Sequence, residues 1–129
     1  MNQPLKSILA VFAAGIWINA SEFFRNTVLL KTAWDAHYQV LHIPFSSTPV
    51  NGLLWMVWGF LFAYAIFVIS RKFSLVHTAL LSWLMAFVLM WIALFNLSVL
   101  PNGLLLFAVP LSLLEAFVAA YICKKLAPV

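Results

Sequence analysis

Apolar residues run almost unbroken through four stretches of this chain, 5–24, 52–69, 75–95 and 103–123, and polar residues gather between them. Each stretch approaches the ~20 residues with which a helix crosses a ~30 Å hydrocarbon layer. Runs of this length predict helices and not strands. The pattern predicts an all-α chain, an integral membrane four-helix bundle in which residues 1–129 form a single transmembrane domain. The first stretch is the weakest, because its strongest part, Ile8 to Ile18, is as short as the core of a signal peptide. Cleavage after Ala20 would place the bulky Ile18 where a small residue is needed, so this segment is expected to be retained as a helix.

The connections differ in length. The segments "SRKFS" and "FNLSVLP" are tight, whereas the predicted extracytoplasmic loop 25–50 is long enough to hold structure of its own. Within it Leu30, Trp34, Tyr38 and Leu41 recur at helical spacing, and Lys31, Asp35, Gln39 and His42 mark the other side. This is an amphipathic helix between helices one and two, lying on the outer leaflet or lidding the bundle. A plain continuation of the first helix is the alternative.

A repeat is also legible. "PVNGLL" at 49–54 and "LPNGLL" at 100–105 each open a helix that ends at a basic pair. Asn51 and Asn102 suit N-caps, and true duplication would make the bundle two repeated helical hairpins.

Composition sharpens the class. Of 129 residues 66% are hydrophobic and 8% charged, with a mean hydropathy of +1.08, a balance that a water-soluble domain of this size cannot expose. The net charge of +4 comes from Lys6, Arg25, Lys31, Arg71, Lys72, Lys124 and Lys125. They stand at the ends of the apolar runs as topology signals, so no nucleic-acid partner is expected. Five of the seven fall on one side if both termini lie in the cytoplasm, which predicts that orientation in a multi-pass protein of the cell membrane. A chain that inserts both ways is the alternative. The single cysteine, Cys123, excludes an intrachain disulfide.

Polar residues inside the spans are the candidate chemistry. Glu115 lies nine residues before Lys124, about 13 Å from that end of its helix at ~1.5 Å per residue. A charged carboxylate at such depth is costly unless it is neutral, hydrated or paired. Pro110 in the same helix frees a backbone acceptor, and Ala108, Ser112, Ala116 and Ala120 form a small-residue face with Glu115 at its border. Tyr64 and Ser82 fall at similar depth, so Tyr64, Ser82, Ser112 and Glu115 form an expected inner cluster. Ala79, Ser82, Ala86, Leu89, Ala93 and Asn96 describe an inward seam on helix three, with Trp83, Phe87 and Trp91 elsewhere on that helix. On helix one Asn19, Glu22 and Asn26 share a face, with Glu22 about 24 Å up from Lys6. Asn19, Glu22, Arg25 and Asn96 form an expected outer cluster.

Several chemistries are argued against. His37 and His42 lie outside and His77 opens helix three at the other side, so they cannot share one haem or metal ion, and no zinc-site spacing exists. No nucleophile elbow, phosphate loop or dinucleotide motif occurs. No cofactor is expected. In size and helix count the chain resembles small dual-topology exporters and fluoride channels, a likeness of architecture without shared motifs.

Two polar clusters at different depths predict a transporter or channel for a small solute or ion, with Glu115 as the titrating group. At 14.5 kDa a single bundle has little interior, so a homodimer is expected. The alternatives are an accessory or assembly subunit that binds a membrane partner or lipid, with Glu115 as interhelical glue, and a lipid-active enzyme whose outer-face site uses Asp35 and His42 together with Trp34, His37 and Tyr38.

Overall fold

The computed structural model describes residues 2–44 and 48–129. Among them the chain is all-helical, and four long apolar helices are long enough to cross a membrane. Helix α1 spans Gln3–Phe24, opened by the Asn2 side chain accepting the Leu5 N–H and by Pro4 in the first turn. A π-turn, Arg25–Leu29, follows without a break. Its widened ring closes where the Leu30 N–H donates to the Arg25 carbonyl at 2.8 Å. The first span therefore runs Gln3–Leu29, past the expected end at residue 24, and Arg25 belongs to it and not to the loop.

At Leu30 the backbone leaves helical geometry, and α2, Lys31–Val40, begins. Leu30 is buried and Trp34, Tyr38 and Leu41 are half-buried, while Lys31, Gln39 and His42 are exposed. The amphipathic helix is present, with the apolar side that its spacing predicts.

Helix α3, Pro49–Ser70, opens with a capping box. The Thr48 hydroxyl accepts the Asn51 N–H, and the Asn51 side chain bonds back to the Thr48 N–H. Thr48 is thus the N-cap, Pro49 occupies the first helical position that proline favours, and Asn51 is the third residue of the box. This corrects the expectation that Asn51 is the cap. The last helix, α6, Leu105–Leu126, has no side-chain cap at its start, and Asn102 is exposed in the preceding turn. The two look-alike hexapeptides therefore open their helices by different chemistry.

The third span comprises α4, Leu75–Trp83, a π-turn, Leu84–Val88, and α5, Leu89–Asn96. The expected seam holds as far as the π-turn, since Ala79 and Ser82 are buried and Ala86 half-buried. Beyond it Leu89, Ala93 and Asn96 are exposed, and Phe87 and Trp91 face inward instead. A π-turn inserts one extra residue and so turns the following helix by about 100°.

Lipid tails are as apolar as leucine, so these helices gain little from apolar burial against one another and depend on close packing. Small residues supply it. Ala108, Ser112, Ala116, Ala119 and Ala120 are buried on α6, which packs against α1, α3 and α4. On α1 the ring of Phe60 lies so close over Gly15 that an added Cβ would stand 2.2 Å from it. On α3, Gly59 lies against the Asn19 amide in the same way. The outward surface is greasy, with Phe12, Phe23, Leu61, Phe95 and Leu106 all exposed, as contact with a bilayer requires.

Candidate functional site

Antiparallel helices bring Arg25 and Glu115 together. A helical side chain leans toward the N-terminus of its own helix. Arg25, near the far end of the first span, therefore reaches back into the bundle, and Glu115, on a helix running the other way, reaches up to meet it. The Arg25 Nη1 lies 3.4 Å from the Glu115 Oε1, and the Arg25 Nη2 lies 2.6 Å from the Glu22 Oε1. The inner and outer clusters expected from residue heights are thus one cluster for these three residues. Counting rise along the axis places Cα atoms and omits the reach of the side chains, which here spans the gap.

The cluster is well walled, with Glu22 at its partly exposed edge. Glu115 has no exposed surface and Arg25 is 5% exposed. The Arg25 guanidinium sits 5.3 Å from the centre of the Phe87 ring, a cation–π contact that replaces part of its lost hydration. Phe87 is itself held edge-on by Trp58 and Phe62. The Trp17 indole donates to the Glu115 carbonyl at 3.0 Å, fixing the backbone of α6 at this level. Asn26 donates to the Glu22 Oε2 at 3.0 Å and to the Glu22 carbonyl.

Charge does not balance inside it. Two carboxylates share one guanidinium, so with all three groups ionised one negative charge stays uncompensated in an apolar interior. One proton shared by the two carboxyls makes the cluster neutral. The Glu115 Oε2 makes no hydrogen bond among the described residues, nor does the buried Ser82 Oγ.

Above the cluster α2 forms a strap. The Trp34 indole donates to the Asn26 side chain at 3.1 Å, so α2 is tied to the residue that holds Glu22. Farther along, the His37 Nε2 donates to the Ser98 carbonyl at 3.0 Å, which ties α2 to the turn after α5. Ser98 takes a left-handed backbone, φ 64, to present that turn.

The remaining sequence-predicted residues lie apart. Ser112 is buried, but its hydroxyl accepts from the Trp83 indole at 2.9 Å and donates to the Val109 carbonyl. Tyr64 is 57% exposed and faces a groove between α1 and α3. Asn19 donates to the Gly15 carbonyl and toward the Met56 carbonyl, pinning α1 to α3. Asn96 is exposed at the end of α5. None of these four bonds to Glu115. On α2, Asp35 is paired with Lys31 at 2.7 Å and His37 with Ser98, so the two are not assembled about a common point. Among the described residues no group of three or more His, Cys, Asp or Glu is placed to hold a metal ion.

Sequence reasoning missed Trp17, Phe87 and Trp34 as walls of the site. The signal available for Phe87 was the spacing of Trp83, Phe87 and Trp91, an aromatic stripe that the π-turn rotates inward. Comparisons with protein-family models, curated proteins and solved structures find no match.

Proposed function

We propose that this chain is a small membrane transport protein in which Glu22, Arg25 and Glu115 bind and release a proton as a small solute or ion crosses. The observation that carries this reading is the unequal charge count of a cluster in which Glu115 and Arg25 are buried and Glu22 is partly so, together with a Glu115 oxygen that no neighbour satisfies. An ion pair kept only for packing would be expected to match its charges and fill its acceptors. Opening is required for such a cycle, since Glu115 is closed to both faces, and the α2 strap is the element whose release exposes it. Five basic residues at the end that carries both termini support an orientation with the termini in the cytoplasm. A homodimer suits a bundle whose interior is filled by its own side chains.

The test is proton flux into proteoliposomes holding a pH-sensitive dye, with an imposed pH gradient. Wild type is expected to pass protons at a rate that depends on pH, and Glu115→Gln to lose that dependence. Equal flux and an unchanged pH profile would remove Glu115 from the mechanism.

A second reading rests on the full burial of Glu115 and its pairing with Arg25: the cluster is glue in an accessory subunit for a larger membrane partner. It is favoured if the protein co-purifies with a stoichiometric partner and passes no protons alone.

A further inference from the structure

Five cations crowd one end of the bundle, where α1 and α4 begin and α3 and α6 end: Lys6, Arg71, Lys72, Lys124 and Lys125. All three acids, Glu22, Asp35 and Glu115, lie elsewhere, and the ion pairs of the described residues use none of these five cations. At the same end a groove of about 330 Å³ runs between α1 and α3. Ile8, Val11 and Phe12 form one wall, and Phe60, Tyr64 and Phe67 form the other. Its lining is almost wholly apolar, and Phe12 stacked on Phe60, with centroids 5.8 Å apart, closes the inner end.

The stripe Phe60, Tyr64, Phe67 continues at the same helical spacing to Arg71. The Arg71 guanidinium sits 4.6 Å from the centre of the Phe67 ring. One of its nitrogens donates to the Ala127 carbonyl, which holds the group in place, while its Nε is buried without a partner. Lys6 stands beside Ser7, which lines the mouth of the groove. Arg71 does not line the slot itself but stacks on Phe67, which does. An apolar slot with an unneutralised guanidinium beside its end has the chemistry of an acyl chain joined to a phosphate.

We propose that this groove holds an acyl chain of one anionic phospholipid whose headgroup phosphate is taken by Arg71 and Lys6. This site is independent of the proton cluster, which lies on the opposite half of α1. Native mass spectrometry of the protein released from nanodiscs of equal phosphatidylglycerol and phosphatidylcholine tests it. Wild type is expected to retain phosphatidylglycerol with a preference of about fivefold, the scale of one basic residue at an anionic surface. Arg71→Gln and Lys6→Gln should each lower the preference to about twofold and the two together bring it close to unity, and Ile8→Trp, which fills the groove, should lower the amount of either lipid retained. Lys125→Gln, which removes an exposed cation of the same end, should change neither. If Arg71→Gln fails to fold for want of the Ala127 contact, Lys6→Gln carries the comparison. Equal retention of the two lipids by wild type, no effect of Ile8→Trp, or a loss in Lys125→Gln as large as in Lys6→Gln would overturn the proposal, the last pointing to diffuse attraction by net charge.

Discussion

Arg25 and Glu115 stand 90 residues apart in the chain and meet at 3.4 Å inside the bundle. The guanidinium is the sole cation beside two carboxylates among the described ion pairs, so its removal leaves both acids facing apolar walls. Arg25→Ala should therefore be among the most destabilising single changes, by roughly 3–5 kcal/mol, as for other broken buried pairs. Thermal unfolding in detergent measures it. Adding Glu115→Ala should restore part of the loss, and a double-mutant cycle should give a coupling of roughly 0.5–3 kcal/mol. Strictly additive effects would mean that the two side chains do not interact.

The glycines divide by what stands over them. A Cβ at Gly15 would lie 2.2 Å from the Phe60 ring, and one at Gly59 would lie 2.6 Å from the Asn19 amide. Gly15→Ala and Gly59→Ala should each cost about 1–3 kcal/mol, the range for overpacking. Gly52 has nothing within 4 Å, so Gly52→Ala should be neutral or stabilise α3 by up to ~1 kcal/mol. Melting temperatures of the three variants would rank them, and a Gly52 variant as weak as the others would contradict the packing described.

The bond between Trp34 and Asn26 makes α2 the cover of the cluster. Trp34→Ala should loosen it and admit water to Ser21, the half-buried neighbour of Glu22. With Cys123→Ser as background, a cysteine introduced by Ser21→Cys should react several-fold faster with a membrane-impermeant thiol reagent once Trp34 is replaced. An unchanged rate would place the cover elsewhere.

Ser112 is the acceptor for the Trp83 indole. Ser112→Ala strands a buried N–H and should cost about 1–3 kcal/mol, whereas Ser112→Ala together with Trp83→Phe, which removes donor and acceptor alike, should lie closer to wild type. The comparison is again one of thermal stability. A double variant weaker than the sum of its parts would show that the indole contributes by packing.

Much of the scaffold was legible because its signals are long and collective. Twenty-residue apolar runs read as spans, the alanine spacing of α6 read as a buried face, and the two sides of α2 followed from a period of four. The site was less legible, for three separate reasons. Residue heights put Glu22 and Glu115 on different levels, and only the opposed lean of side chains on antiparallel helices joins them through Arg25. Tyr64 sits on a helix that is apolar all round, so nothing in the pattern of α3 tells its inward side from its outward one. The π-turns carry no signature in residue type, yet one keeps Arg25 within the first span and the other decides that Phe87, not Leu89, looks inward. Thr48 had a readable signature in the order Thr, Pro, Val, Asn, but the nearby Asn51 drew the cap assignment to itself.

The turn at Leu84–Val88 acts as a phase step in the third span. Below it the helix offers alanine and serine to α6, and within it the helix turns the flat ring of Phe87 to the guanidinium. Were the same residues wound as a uniform helix, the upper half of the span would swing by about 100°, carrying Phe87 out toward the acyl chains and withdrawing the surface on which Arg25 rests. Loss of one residue from the turn would instead restore regular winding with Phe87 still turned inward. The charge cluster thus leans on the winding of a helix that contributes no charge to it.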